Sequence, residues 1–150
     1  MSQSHSLVLL QVVFSTKERV PFLVEEDLPR HHSYMAGIVC NKGCECYRVG
    51  GVSDHVHLAV RLSRTISIAD LVQPVKTSLT AWLKEQAPRL RDFAWQRGYR
   101  ALSYGARELQ SLLSYIDGQA EHHRKKTFQE EYLELLEEFG IKYEVQYLWD

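Results

Sequence analysis

Apolar positions change their spacing along the chain, and each change marks an element. Residues 7–14, Leu-Val-Leu-Leu-Gln-Val-Val-Phe, form a short run rich in branched side chains. This predicts a buried strand, with Pro21 breaking the chain behind it. Glu25-Glu26-Asp27 place acids at the positive end of a helix of about four turns that reaches toward Cys40 and is closed by Asn41-Lys42-Gly43. Residues 45–53 and 55–62 are two β-prone segments, and Ser53-Asp54 between them gives hairpin-like spacing. Ile68, Leu71, Val72, Val75, Leu79, Trp82 and Leu83 then recur at helical intervals. They form the stripe of an amphipathic helix that tolerates Pro74 near its first turns and ends before Pro88. Residues 95–103 read as a further strand. From Ala106 a second stripe, with Leu109, Leu112, Leu113, Ile116 and Ala120, predicts another helix, and residues 128–139 a last one stopping at Gly140.

The first six elements follow the order βαββαβ. That order predicts an α+β domain with a ferredoxin-like antiparallel sheet and helices on one face, followed by C-terminal helices that carry Tyr115. Repeats, linkers and low-complexity stretches are absent from the sequence, so residues 1–150 are expected to form one domain.

Composition narrows the class. With 45% hydrophobic and 25% charged residues the chain matches the globular average, which excludes collagenous, coiled-coil and disordered readings. No run approaches the roughly 18 apolar residues of a membrane span, and the first residues lack the cationic region of a signal peptide. Cys40, Cys44 and Cys46 are odd in number, crowded, and without a fourth zinc ligand at finger spacing, so they are expected to be reduced thiols. A cytoplasmic protein with no membrane partner is the expectation. The formal net charge of −1 hides an asymmetry: seven acids and one base lie in residues 130–150, which leaves +5 on residues 1–129. Arg89, Arg91, Arg97, Arg100 and Arg107, and then Arg124-Lys125-Lys126, suit a polyanionic partner, or equally a solvated face.

The sharpest local pattern is Asp54-His55-Val56-His57-Leu58. On a strand, residues i and i+2 share a face, so His55 and His57 can present two imidazoles to one metal, or merely stand as a surface pair. Asp54 either orients a metal-bound histidine or serves the turn. On the helix from Ala106, Tyr115 and Gln119 lie one turn apart on a flank shared with Glu108 and His122, off the apolar stripe. Tyr115 is either a core tyrosine with a wet hydroxyl or a nucleophile. In the second case an ion on His55 and His57 would polarise a phosphodiester, and Gln119 would complete the ligand set. Gly118 inside a helix hints at a close approach there.

These residues carry a family resemblance. The chain resembles the single-tyrosine transposases of the IS200 type, in the HUH nuclease superfamily (His-hydrophobe-His), and is close to the REP-associated tyrosine transposases. The match takes in Val13-Phe14-Ser15-Thr16-Lys17, Gly50-Gly51-Val52-Ser53-Asp54-His55-Val56-His57-Leu58 and Phe93-Ala94-Trp95-Gln96-Arg97-Gly98-Tyr99. It continues through Tyr115-Ile116-Asp117-Gly118-Gln119-Ala120-Glu121-His122-His123 to Tyr147-Leu148-Trp149-Asp150. The resemblance implies a divalent cofactor, Mg²⁺ or Mn²⁺, on His55, His57 and Gln119, with Tyr115 as the nucleophile. It also implies cleavage and rejoining of single-stranded DNA through a 5′-phosphotyrosine at hairpin-marked element ends. A homodimer is implied, with sites that can be shared between subunits. The sequence departs from the family at Arg100-Ala101-Leu102-Ser103, where a small residue usually comes first, and at Gly118, where relatives often carry a polar residue.

Arg124, Lys125 and Lys126 are expected to contact backbone phosphates beside the Tyr115 helix, as is His122; Lys76 is read as a phosphate contact or a solvated lysine. Trp82 is expected in the core. Two rival functions are a hairpin-DNA-binding protein without turnover and a metal phosphodiesterase acting on small nucleotides.

Overall fold

The computed structural model describes residues 3–150. Its frame is an antiparallel sheet of β1 (Leu9–Ser15), β2 (Glu45–Val52), β3 (His55–Arg61) and β4 (Arg100–Tyr104), in the order β2-β3-β1-β4. Period-two alternation in the two central strands creates two faces with different tasks. Leu10, Val12 and Phe14 of β1 and Val56, Leu58 and Val60 of β3 point to one face. There they meet Met35 and Val39 of α1 (Leu28–Asn41) and Leu71, Val75, Leu79 and Leu83 of α2 (Ile68–Gln86) in the main core. Each such fully buried side chain contributes on the order of 2 kcal/mol.

The opposite face carries Gln11, Val13 and Ser15 of β1 and His55, His57 and Ala59 of β3. It is covered by α3 (Leu109–Asp117), α4 (Gln119–His122) and α5 (Phe128–Glu138), through Leu112 and Ile116 on Ala59 and through Phe128, Tyr132 and Leu136 on Val13. The α+β, ferredoxin-like arrangement is therefore the observed one. α1 and α2 share one face, and the C-terminal helices fill the other.

Three elements differ from the sequence reading. The strand expected over 95–103 is confined to β4, because Trp95 makes only a lone bridge to Thr16 before the chain loops away. In that loop Arg97 and Gly98 donate their amides to the Asp150 carbonyl at 3.0 and 3.2 Å. The helix expected to open at Glu25–Asp27 begins there as a 3-10 turn, and α1 proper starts at Leu28 with Pro29 in its first turn. The helix from Ala106 is a 3-10 turn followed by α3, a break at Gly118, and then α4. Gly118 marks that break and no close approach: a Cβ there would meet the Ser114 and Tyr115 carbonyls at 3.4 and 3.7 Å, ordinary contact.

Arg100, counted toward a polyanion-binding face, and Lys76, read as a phosphate contact or a solvated lysine, are both engaged by the fold. Arg100 is 2% exposed, with its guanidinium 4.6 Å from the Tyr132 ring centre and donating to the Tyr132 carbonyl at 3.3 Å. Lys76 donates to the carbonyls of Gln96, Arg97 and Gly98 at 2.8, 3.3 and 2.7 Å, so all three ammonium protons hold the 96–98 loop and none is left for phosphate. Lys76→Met is expected to lower unfolding stability by about 1–3 kcal/mol, measured by urea denaturation, and to leave the salt dependence of DNA binding unchanged.

Trp82 is half-buried and stacks on Tyr34 at 4.4 Å. The three cysteines are free thiols. Among the described residues no helix is long and apolar enough to cross a membrane.

Candidate active site

The β2–β3 hairpin turns at Ser53-Asp54 and delivers both histidines at the start of β3. Across from them in β2 lie Gly50, paired with His57, and Gly51, paired with Val56. Gly51 has φ +136, a conformation that side chains resist, and a Cβ on Gly50 would lie 2.4 Å from Ile116 Cγ2 and 2.9 Å from the Ile116 carbonyl oxygen. The missing side chain at Gly50 lets α3 settle directly onto the sheet. That contact brings Tyr115, one residue earlier, over the histidine face.

Both imidazoles are wholly buried. His55 Nδ1 is 2.7 Å from Asp54 Oδ1, and His57 Nδ1 is 2.7 Å from Gln11 Oε1, whose own amide nitrogen donates to the Tyr104 hydroxyl at 2.8 Å. His123 joins them from the segment after α4, with Nδ1 2.9 Å from the Lys126 carbonyl. Each Nδ1 faces an oxygen acceptor and so carries the proton, which leaves each Nε2 lone pair turned inward.

Those lone pairs meet other acceptors. Gln119 Oε1 lies 3.2 Å from His55 Nε2 and 2.9 Å from His123 Nε2. The Glu131 carboxylate, from α5 and 2% exposed, stands 3.1, 3.0 and 2.9 Å from the Nε2 atoms of His57, His122 and His123. At these angles neither Glu131 oxygen completes a hydrogen bond, nor does His57 Nε2 or His122 Nε2. Atoms bound to one ion at about 2.0–2.2 Å lie about 3 Å apart along the edges of its coordination polyhedron. Ligand atoms of His55, His57, His123 and Glu131 all fall within 4.8 Å of one another. The group can therefore hold a divalent metal, and its unpaired acceptors fit one.

The electrostatics carry the same demand for positive charge. Burial lowers His57 to about 3, against the opposing pull of Glu131, so this ring stays neutral and free to ligate. Burial also pulls His123 down, but Glu131 outweighs it and holds that imidazole above its usual value. Burial would raise Glu131, yet the ring nitrogens of His123 and His57 keep it well below the usual carboxylate range.

The Tyr115 ring lies 5.7 Å edge-on from His57 and 5.6 Å from His122, and its hydroxyl is buried without a hydrogen-bond partner. Burial pushes the phenol above its usual range, and the Glu131 carboxylate adds to the shift.

The structure thus brings together Tyr115, His55, His57, Gln119, His122 and Asp54. The basic run after α4 is peripheral. Arg124 pairs with Glu121 at 3.1 Å, Lys126 with Glu134 at 2.5 Å, and Lys125 is exposed. Sequence reasoning missed Glu131, and a signal for it existed. Phe128, Glu131, Tyr132 and Leu136 share the buried stripe of α5, where a carboxylate has no place unless it meets a partner. Gln11 in the middle of an apolar strand was a second such signal. Phe128, which the sequence reading took only as the start of the last helix, lies with its ring 4.5 Å from that of His55.

Among solved structures, a candidate transposase from Deinococcus radiodurans R1 is similar at 20% identity, with 79% of this chain and 98% of that one covered and a TM-score of 0.59. A REP-associated tyrosine transposase bound to a REP hairpin is similar at 12% identity, with 82% and 74% covered and a TM-score of 0.60. At these identities the likeness establishes a shared fold. No curated protein matches the chain. The sequence profile of one family, described as Transposase IS200 like, matches residues 4–119, a span that runs from before β1 to the glutamine beside His55. The chain belongs to that transposase family.

Proposed function

We propose that this protein nicks and rejoins single-stranded DNA at hairpin-marked ends, with Tyr115 as nucleophile and with His55, His57 and Gln119 around a divalent ion such as Mg²⁺ or Mn²⁺. The observation that carries this reading is the convergence, within one chain, of the Tyr115 ring and the two Nδ1-protonated imidazoles. When bound, the ion polarises the scissile phosphate and offsets the charge that develops there. The Tyr115 oxygen forms a bond to phosphorus as the bond from phosphorus to the 3′ oxygen breaks, and the phenolic proton ends on the released 3′-hydroxyl. The product is a 5′-phosphotyrosine, and the bond energy it retains permits rejoining by the reverse step. Asp54 and Gln11 hold the two imidazoles in the ligating tautomer.

A hairpin as partner is supported by the structural neighbour that holds one. His122, Arg124, Lys125 and Lys126 follow the nucleophile's helix, where they would meet backbone phosphate. Because Tyr115 and the histidines come from the same chain, a homodimer would carry two complete sites. Incubation with a labelled hairpin oligonucleotide bearing single-stranded flanks, in Mg²⁺ or Mn²⁺, is expected to give an SDS-resistant protein–DNA adduct. Tight hairpin binding with no nicking under either ion or under Co²⁺ would overturn the reading. It would favour the second reading, a hairpin-binding protein without turnover, to which the buried and firmly protonated Tyr115 hydroxyl lends support.

A further inference from the structure

We propose that Glu131 is the fastening point through which a cation on His55 and His57 docks the C-terminal helix α5 onto the sheet. We further propose that this imidazole-rich site takes a nitrogen-accepting transition ion, of the cobalt and zinc class, in preference to Mg²⁺. The inference rests on the cation-holding reading of His55 and His57 given above.

α5 is poorly equipped to dock by itself. Five of its eleven residues are glutamates, and within the apolar cluster its buried stripe of Phe128, Tyr132 and Leu136 meets one sheet residue, Val13, with Leu148 and Trp149 packed alongside; its other sheet neighbours are the polar groups of His55 and Arg100. On the same stripe Glu131 brings a carboxylate into the seam and leaves both oxygens without a completed hydrogen bond. A buried anion in that state opposes docking unless positive charge meets it. The Nε2 atom of His57 stands 3.1 Å from one Glu131 oxygen and that of His123 2.9 Å from the other. An ion accepted by these nitrogens would also be bonded by α5, so one ligand set spans the sheet, the segment after α4 and the C-terminal helix.

Linkage makes the coupling reciprocal. An ion that binds more tightly with α5 docked stabilises docking by the same factor. The donor set also selects the ion. Mg²⁺ prefers oxygen ligands and keeps several waters, whereas imidazole suits cobalt, nickel and zinc. Three imidazoles with one carboxylate, plus the Gln119 amide oxygen, belong to the second group.

The test uses the whole chain, stripped with chelator and then loaded with Co²⁺, whose absorption separates nitrogen and oxygen ligation from ligation by the free cysteines. Co²⁺ at about 100 times its Kd is expected to raise Tm by about 5–10 °C, and Mg²⁺ at the same concentration by far less. Hydrogen exchange across α5 is expected to slow on Co²⁺ loading. Glu131→Gln is expected to weaken Co²⁺ binding at least about tenfold and to erase the slowing across α5. Native Co²⁺ affinity in Glu131→Gln, or exchange across α5 that ignores the ion in the native chain, would overturn the clamp. Equal stabilisation by Mg²⁺ and Co²⁺ would overturn the selectivity. Should Glu131→Gln fail to fold, exchange in the native chain decides alone. The DNA adduct assay separates the two readings. If adducts form while α5 ignores the ion, the clamp fails and strand cutting stands; if α5 responds to the ion but no adduct forms, strand cutting fails and the clamp stands.

Discussion

Tyr115→Phe is expected to abolish the SDS-resistant DNA adduct, a fall of at least about 10³-fold, with hairpin affinity held within about twofold of the native chain. The substitution removes one atom, and that atom contributes little to the fold. The Tyr115 hydroxyl is buried and makes no hydrogen bond, so its loss relieves an unpaired polar group. The ring keeps its edge-on place against His57 and its packing beside Ala59, Leu112 and Ile116. Stability by urea denaturation is therefore expected to match or slightly exceed that of the native chain. Loss of chemistry without loss of stability isolates the nucleophile. Adducts formed by the phenylalanine variant at native levels would remove Tyr115 from that role.

Gly50→Val should act from a distance. The valine side chain would collide with Ile116 at its methyl group and, less forgivingly, at its backbone carbonyl. A methyl can rotate away, but a helical carbonyl moves only with its helix. α3 must therefore rise from the sheet and carry Tyr115 with it. Overpacking of this kind costs about 1–3 kcal/mol, and a displacement of about 1 Å in a reacting group costs about 10²-fold in rate. The expected result is a folded, less stable protein that still binds hairpin DNA and forms adducts about a hundredfold more slowly. Adduct formation within twofold of native would mean that α3 does not rest on Gly50 as its contacts imply.

The central strands and α2 were legible because their apolar residues keep a clear pattern. The α2 stripe from Ile68 to Leu83 and the Val56-Leu58-Val60 alternation leave one reading each. The histidine pair was legible for the same reason, since period two alone puts His55 and His57 on one face. Failures came where tertiary contacts override local pattern. Aromatic character at Trp95 suggested strand, but the 96–98 loop answers to the Lys76 ammonium, twenty residues away in the chain. Arg100 counted toward a basic surface because charge in a sequence carries no depth, and the structure turns it under Tyr132. Gly118 drew attention as the glycine inside a helix, while the close approach fell at Gly50, where a flexible residue in a β-prone run gave no hint of the helix above it. Glu131 was hidden among the acids of the C-terminal segment. Only its place on the apolar stripe of α5 set it apart.

The depth of the site has a kinetic consequence. His55 and His57 have no solvent exposure, Gln119 has 1% and Glu131 2%, so a polymer as thick as a nucleic-acid strand finds no entrance in this arrangement. On the proposed strand-cutting reading, admission of the scissile phosphate would begin with an outward excursion of α5 or of the segment joining it to α4. Turnover would then follow the rate of that opening, and mutations that loosen the C-terminal helix without touching any reacting group would speed it.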